Sequence, residues 1–363
     1  MSIFYEQEGV PAHSVLPLPT REKAIAYPQG TICLGFCSQC GFIGNLALNP
    51  RLMDYTSEYN PTQAHSPTFN AFHRHLALHL IDKYKLKKKL IIEIGCGEGE
   101  FLKLLCELGE NRGIGFDPAC KEDSTSTITF VKDLYSEKYS HYIADFVCCK
   151  MTLEHIPDVT GFVETLSQMA NDQTIVFLQI PDVMRILHDL AFWDIYYEHC
   201  SYFSSGSLAR LLHRSGFGVL DLWNDYNDQY IMAGTKIRNK GLLPDDLKDL
   251  KHNVDYFKHN CQYHIDAWRK TLYEDKKTVV WGGGSKGVAF LNALKLSNHI
   301  DYVVDIDPLK QNTFLAGTGH RIVSPDFLQA DCPDRIILMN PIYKNEIEKQ
   351  IRNLGLNSEI LTV

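Results

Sequence analysis
The chain has no low-complexity tract, no excess of positive charge, and no apolar run approaching the roughly 20 residues of a membrane span. Without such a run a transmembrane helix is not expected. With Lys+Arg 36 against Asp+Glu 44, the formal net charge is −8, which argues against a broad surface for nucleic acid or anionic lipid. A disulfide framework is lacking as well. Eleven cysteines, an odd number with scattered spacing, fit free thiols in the reducing cytoplasm. The opening residues Met1-Ser2-Ile3-Phe4-Tyr5-Glu6-Gln7-Glu8 carry no basic stretch followed by an apolar core, so no signal peptide is expected. What remains is a globular composition over 363 residues, enough for two domains and an appendage.

What the chain does have is one short programme written twice. Leu90-Ile91-Ile92-Glu93-Ile94 reads as a strand, Gly95-Cys96-Gly97-Glu98-Gly99 as a turn, and Asp117 closes a second strand, Gly113 to Phe116. Thr278 to Trp281, the turn Gly282-Gly283-Gly284-Ser285-Lys286-Gly287, and Tyr302 to Val304 before Asp305 and Asp307 repeat the order. Glycines let the backbone approach a ligand where a strand becomes a helix, and the later acid can hold a ribose. The spacings differ. Gly282, Gly284 and Gly287 fit the dinucleotide pattern G-x-G-x-x-G, with Asp305 about 20 residues on. Gly95, Gly97 and Gly99 follow G-x-G-x-G instead.

Around these turns, short apolar runs alternate with helical periodicity. Strands are predicted at 128–131, 146–149 and 174–180, and helices at 67–83, 99–108, 159–169 and 207–215. Late, antiparallel strands are predicted at 219–223 and 230–235. Alternation of this kind implies a parallel sheet covered on both faces. The organisation expected is α/β. A loop-rich N-terminal module occupies 1–66, a larger Rossmann-like domain 67–240, and a smaller Rossmann-like C-terminal domain 241–363, entered by a charged helix.

Glu93-Ile94-Gly95-Cys96-Gly97-Glu98-Gly99 and the Leu153-Glu154-His155-Ile156-Pro157-Asp158 loop resemble the class I S-adenosylmethionine-dependent methyltransferases. The resemblance implies that Glu93 and the turn of Gly95, Gly97 and Gly99 flank the cofactor's methionine and ribose. It also implies that Asp117 takes the ribose hydroxyls and Asp133 the adenine amino group. Between the two glycine turns lies Tyr196-Tyr197-Glu198-His199-Cys200-Ser201-Tyr202-Phe203-Ser204. It is similar to the Tyr-His-Glu-His-Leu-Ser-Tyr-Phe-Ser run of the nucleotide-sugar C-methyltransferases. Asp305-x-x-Pro308-x-Lys310 and Asn340-Pro341-Ile342-Tyr343 through Glu346 and Ile347 match that family too. This resemblance implies His199 as a base with Glu198 and Tyr196 beside it, a role for His155, and Tyr59 near the cofactor. Two departures stand out: Met151 where the family often has asparagine, and Tyr197 in place of a histidine.

Cys37-Ser38-Gln39-Cys40-Gly41 is half of a zinc site, because a structural site needs four ligands and no second C-x-x-C exists. Zinc at Cys37 and Cys40 with non-standard partners and a pair of free thiols both remain open. The expected activity is transfer of a methyl group to carbon of a nucleotide-linked 4-keto sugar, by a monomer. Rivals are O- or N-methylation on the same fold, binding without turnover, and, from the second glycine turn, nicotinamide chemistry.

Overall fold
Ser2–Pro11 forms β1, with Phe4, Val10 and Pro11 buried. Sequence reading missed this strand because Glu6, Gln7 and Glu8 break up its apolar residues. It pairs antiparallel with β2 (Gln29–Phe36), and β2 with β3 (Ile43–Asn45). A fourth strand reaches this sheet from far along the chain, Ser201–Tyr202 beside β3. The N-terminal module is therefore stitched to the segment that carries the candidate base. The computed structural model describes residues 1–53, 62–121, 123–295 and 298–363; Tyr59 lies outside the described residues.

The β-branched run at residue 90 forms β4 (Leu90–Ile94), followed by β5 (Arg112–Phe116), β6 (Ile128–Val131), β7 (Phe146–Lys150) and β8 (Ile175–Pro181). These five pair in parallel, in the order β6-β5-β4-β7-β8. With Ser201–Tyr202 counted as β9, the late strands are β10 (Phe217–Asp225) and β11 (Tyr230–Ile237). β11 inserts antiparallel between β8 and β10 and completes seven strands. Sequence order thus reverses between β4 and β7, and their carboxyl ends form the crevice where open α/β sheets bind ligands.

The C-terminal sheet repeats the logic with five parallel strands: β12 (Thr278–Trp281), β13 (Val303–Val304), β14 (Ile322–Val323), β15 (Arg335–Leu338) and β16 (Glu359–Thr362). Their order, β14-β13-β12-β15-β16, puts the reversal between β12 and β15. The helix Leu247–Leu272 leads into it, burying Leu250, Val254, Phe257, Cys261 and Ile265 at helical spacing. One apolar core runs through the N-terminal sheet, residues 183–202, this helix and the C-terminal sheet. Within it Phe192 stacks on Phe290, ring centroids 5.9 Å apart. No helix among the described residues is long and apolar enough to cross a membrane.

Candidate active site
The chain leaves β4 through three glycines with positive φ. At Gly99 a Cβ would sit 2.3 Å from the Phe130 ring, so only glycine fits there. Above Gly97 the space is open, with nothing within 4 Å of where a Cβ would be. The Gly97 amide donates to Asp117 Oδ2 at 2.9 Å, and the Ala119 amide donates to Oδ1 at 2.7 Å. The carboxylate that ends β5 is thus fixed beside an open backbone cradle. Beneath the turn Glu93 is buried, and its Oε2 lacks a partner. Burial pushes its carboxyl up to about 7, against the opposing pull of Lys150. Lys150, itself held low by burial, lies 3.1 Å from His73 Nε2 and 3.6 Å from the centre of the Phe101 ring. Cradle, acid and orphaned carboxyl oxygen fit a ligand with ribose hydroxyls and an amino group. Asp133 is already engaged by Lys138, by Tyr139 Oη at 2.6 Å and by the Leu134 amide. An adenine amino group would share those oxygens.

The end of β7 leads straight to the second part of the site. Met151 adopts φ 49°, a left-handed conformation that asparagine tolerates better than methionine. The family asparagine therefore has a backbone reason to sit here. After it, Leu153–His155 forms one 3-10 turn. Cys200 ties the later segment to this turn, its amide donating to the Glu154 carbonyl at 2.7 Å. The rings of His155 and His199 meet edge to face, centroids 4.9 Å apart, and Tyr196 meets His199 at 4.7 Å. Tyr197, by contrast, is structural. Its hydroxyl accepts from the Asn49 amide at 2.8 Å, and its ring lies so close to Gly30 that a Cβ there would be 2.1 Å away.

His155, Tyr196, Glu198 and His199 line a cavity of about 270 Å³, and the opposite wall is the second glycine turn. Met151 at the end of β7, Trp281 at the end of β12 and Met339 just past β15 all reach it. The reversal crevices of both parallel sheets thus open on one chamber. Burial holds His155 down to about 4, although a hydrogen bond with the Glu198 backbone opposes this. His199 is held lower than a free imidazole by burial and by neighbouring His155. Both are neutral at pH 7, so both can accept a proton. Burial and the Asp194 carboxylate hold the Tyr196 phenol well above its ordinary value, so it stays a donor.

Three features of this chamber were not legible in the sequence. Ser14 enters from the loop after β1; its hydroxyl donates to Glu198 Oε1, with its amide on the same oxygen at 3.2 Å. Ser14 Oγ also lies 2.7 Å from Ser285 Oγ of the second glycine turn. Asp194 is buried among Arg185, Lys286 and Tyr196 Oη, the last at 2.8 Å. Lys286 of the second glycine turn is thus ion-paired, and burial lowers it to about 8 despite that partner. Glu154, finally, lies beside the two imidazoles. Only folding brings Ser14 and Asp194 to the site; Glu154 lies in the loop that carries His155, but its place beside His199 also depends on folding.

In the second turn Asp305 accepts from the Gly283 and Asp307 amides, each at 2.8 Å, and lies 3.8 Å from Lys310. The helix Ser285–Leu294 begins there without a side-chain cap. Cys37 and Cys40 share one turn between β2 and β3, closed by the Gly41 amide on the Cys37 carbonyl at 2.8 Å. Backbone amides lower Cys37 and burial raises Cys40. Among the described residues no group of three or more metal-ligating side chains includes them.

Comparison with known proteins agrees with this geometry. Residues 69–222 match the family described as Methyltransferase domain, and residues 241–358 the family described as C-methyltransferase C-terminal domain. The C-methyltransferase NovU of Streptomyces niveus is 27% identical over 285 residues, 71% of this chain and 68% of that protein. A SAM-dependent methyltransferase structure from Aquifex aeolicus covers 48% of this chain and 95% of its own, at 12% identity and TM-score 0.37. Magnesium protoporphyrin IX methyltransferase from Synechocystis PCC 6803, solved with bound SAH, covers 47% and 84%, at 14% identity and TM-score 0.36. The chain is a class I S-adenosylmethionine-dependent methyltransferase, with S-adenosylmethionine as its cofactor. Within that class it resembles the C-methyltransferases, in both its larger and its C-terminal domain.

Proposed function
We propose that this enzyme methylates a carbon next to the keto group of a nucleotide-linked sugar, with His199 as the base. The observation that carries this reading is the shared chamber: neutral imidazoles and a phenol on one wall, a glycine turn of nucleotide-binding pattern on the other. Carbon becomes a nucleophile only when a neighbouring carbonyl stabilises its carbanion. His199 removes the α-proton, and Tyr196 or His155 donates a hydrogen bond to the enolate oxygen, where charge develops. Bound S-adenosylmethionine supplies an electrophilic methyl group. Glu93, Gly95, Gly97, Gly99, Asp117 and Asp133 hold that cofactor. The uncapped helix at Ser285, with Lys310 nearby, suits a diphosphate.

The three sheets support division at 1–66, 67–240 and 241–363. One chain supplies every wall of the chamber, which supports action as a monomer. Eleven free cysteines support a cytoplasmic location. Mass spectrometry of products from a panel of nucleotide-linked keto sugars tests the reading. A gain of one methyl on carbon, with S-adenosylhomocysteine formed in equal amount, is expected. Methyl on oxygen or nitrogen contradicts it.

A further inference from the structure
The turn after β7 carries a carboxyl group that neither the cofactor cradle nor the Ser14 contact uses. Glu154 is 1% exposed, and neither Oε1 nor Oε2 has a hydrogen-bond partner. Burying a carboxyl group with no donor is costly. One of its oxygens and one ring nitrogen from each of His155 and His199 all lie within 4.8 Å of one another. His199 Nδ1 is likewise buried without a partner. Glu198, the carboxylate that sequence resemblance puts beside the base, has its Oε1 on Ser14 instead.

We propose that Glu154 is the charge partner of His199, a positioning residue whose carboxyl group, once ionised, makes the imidazole a stronger base. This rests on the reading of His199 as the base. Alone, His199 is a poor one, because burial, His155 and Lys286 all oppose a positive charge on it and only Asp194 favours it. A carboxylate within about 4–6 Å raises an imidazole's pKa by about 1–3. The reaction leaves a proton that such a partner stabilises on the imidazole. The substrate C–H bond breaks and its electron pair goes to the enolate; the proton goes to His199. The enolate carbon then forms the new C–C bond as the methyl–sulfur bond breaks. The cationic sulfonium becomes a neutral thioether, the sugar keeps its charge, and the one proton released stays on the His199–Glu154 pair until product leaves.

The other groups facing this cluster come from every side. They are Cys149 on β7, Tyr230 on β11, Cys200, Asp194, Tyr196, Glu198 and Tyr202 on the later segment, His13 from the N-terminal module and Lys286 from the C-terminal domain. Burial holds Glu154 up to about 8 in the resting chamber, so its carboxylate, and with it the stronger base, forms as pH rises through that value.

The test is substrate-free NMR of the full chain labelled with 13C at histidine Cε1, titrated from pH 6 to 10, with His155 and His199 assigned by single substitution to asparagine. In the unsubstituted protein both resonances should move through one step near pH 8. The step should vanish in Glu154→Gln and shift in Glu154→Asp. Lys286 is the other group near pH 8, so a step that survives Glu154→Gln belongs to it and overturns the proposal. Flat resonances in the unsubstituted protein overturn it too, whether or not the variants fold. Neither result touches methyl transfer itself, so failure here is distinguishable from failure of the proposed function.

Discussion
At the scale of single residues, the site is built from groups held in the wrong ionisation state for water. Glu154 and Glu93 are carboxyls that burial raises to about 8 and about 7, from an ordinary 4.5. The folded chain therefore binds these protons more tightly than the unfolded chain does. Stability from both groups is greatest at low pH and is lost as pH climbs from about 4.5 through 7 and 8. Glu154→Gln removes the larger part of that loss. Its melting temperature, followed by differential scanning fluorimetry, should gain on the unsubstituted protein between pH 5 and pH 8.5. An equal difference at both pH values would show that Glu154 is ionised in the resting fold. The same substitution should slow methyl transfer, so stability and activity move in opposite directions at this position.

At the scale of elements, much was legible. The strand at 90–94, the helix at 159–169 and the antiparallel pair after residue 217 follow from period and punctuation, and they lie where expected. Gly95, Gly97, Gly99 and Asp117 were readable because one turn and one strand end carry them. β1 was not, because charged residues on its outer face hide its inward Phe4 and Val10. Nor was the partner of Lys286, because Asp194 lies 92 residues earlier and meets it only when the sheets pack. That contact makes a prediction for the segment between the domains. Arg185 and Lys286 share the Asp194 carboxylate in a buried site. Asp194→Asn leaves two buried cations short of their counter-charge and should cost about 3–5 kcal/mol, the typical penalty for breaking a buried pair. Urea unfolding measures it. A loss under about 1 kcal/mol, the range of surface pairs, would mean that water reaches the network.

At the scale of the whole molecule, two open sheets with reversed strand order face each other across one cavity, and the N-terminal module reaches it at Val15, with Ser14 bonded to Glu198 and Ser285 of its walls. Of the two strand–glycine–acid copies, the second lines this chamber through Gly282, Gly284 and Gly287. It forms the wall opposite the imidazoles, and the first copy is the one proposed to hold the cofactor. Sequence alone separated the two copies by glycine spacing but could not place the second one opposite His155 and His199, since that depends on the shared core around Phe192 and Phe290. The central claim, that His199 in this chamber generates a carbon nucleophile, is tested most directly by hydrogen exchange. A nucleotide-linked 4-keto-6-deoxyhexose is incubated with enzyme in heavy water without S-adenosylmethionine and followed by NMR. The account predicts deuterium at the α-carbon, with exchange stopped by His199→Ala. Methyl transfer to that substrate with no exchange, or exchange undiminished in His199→Ala, would contradict it.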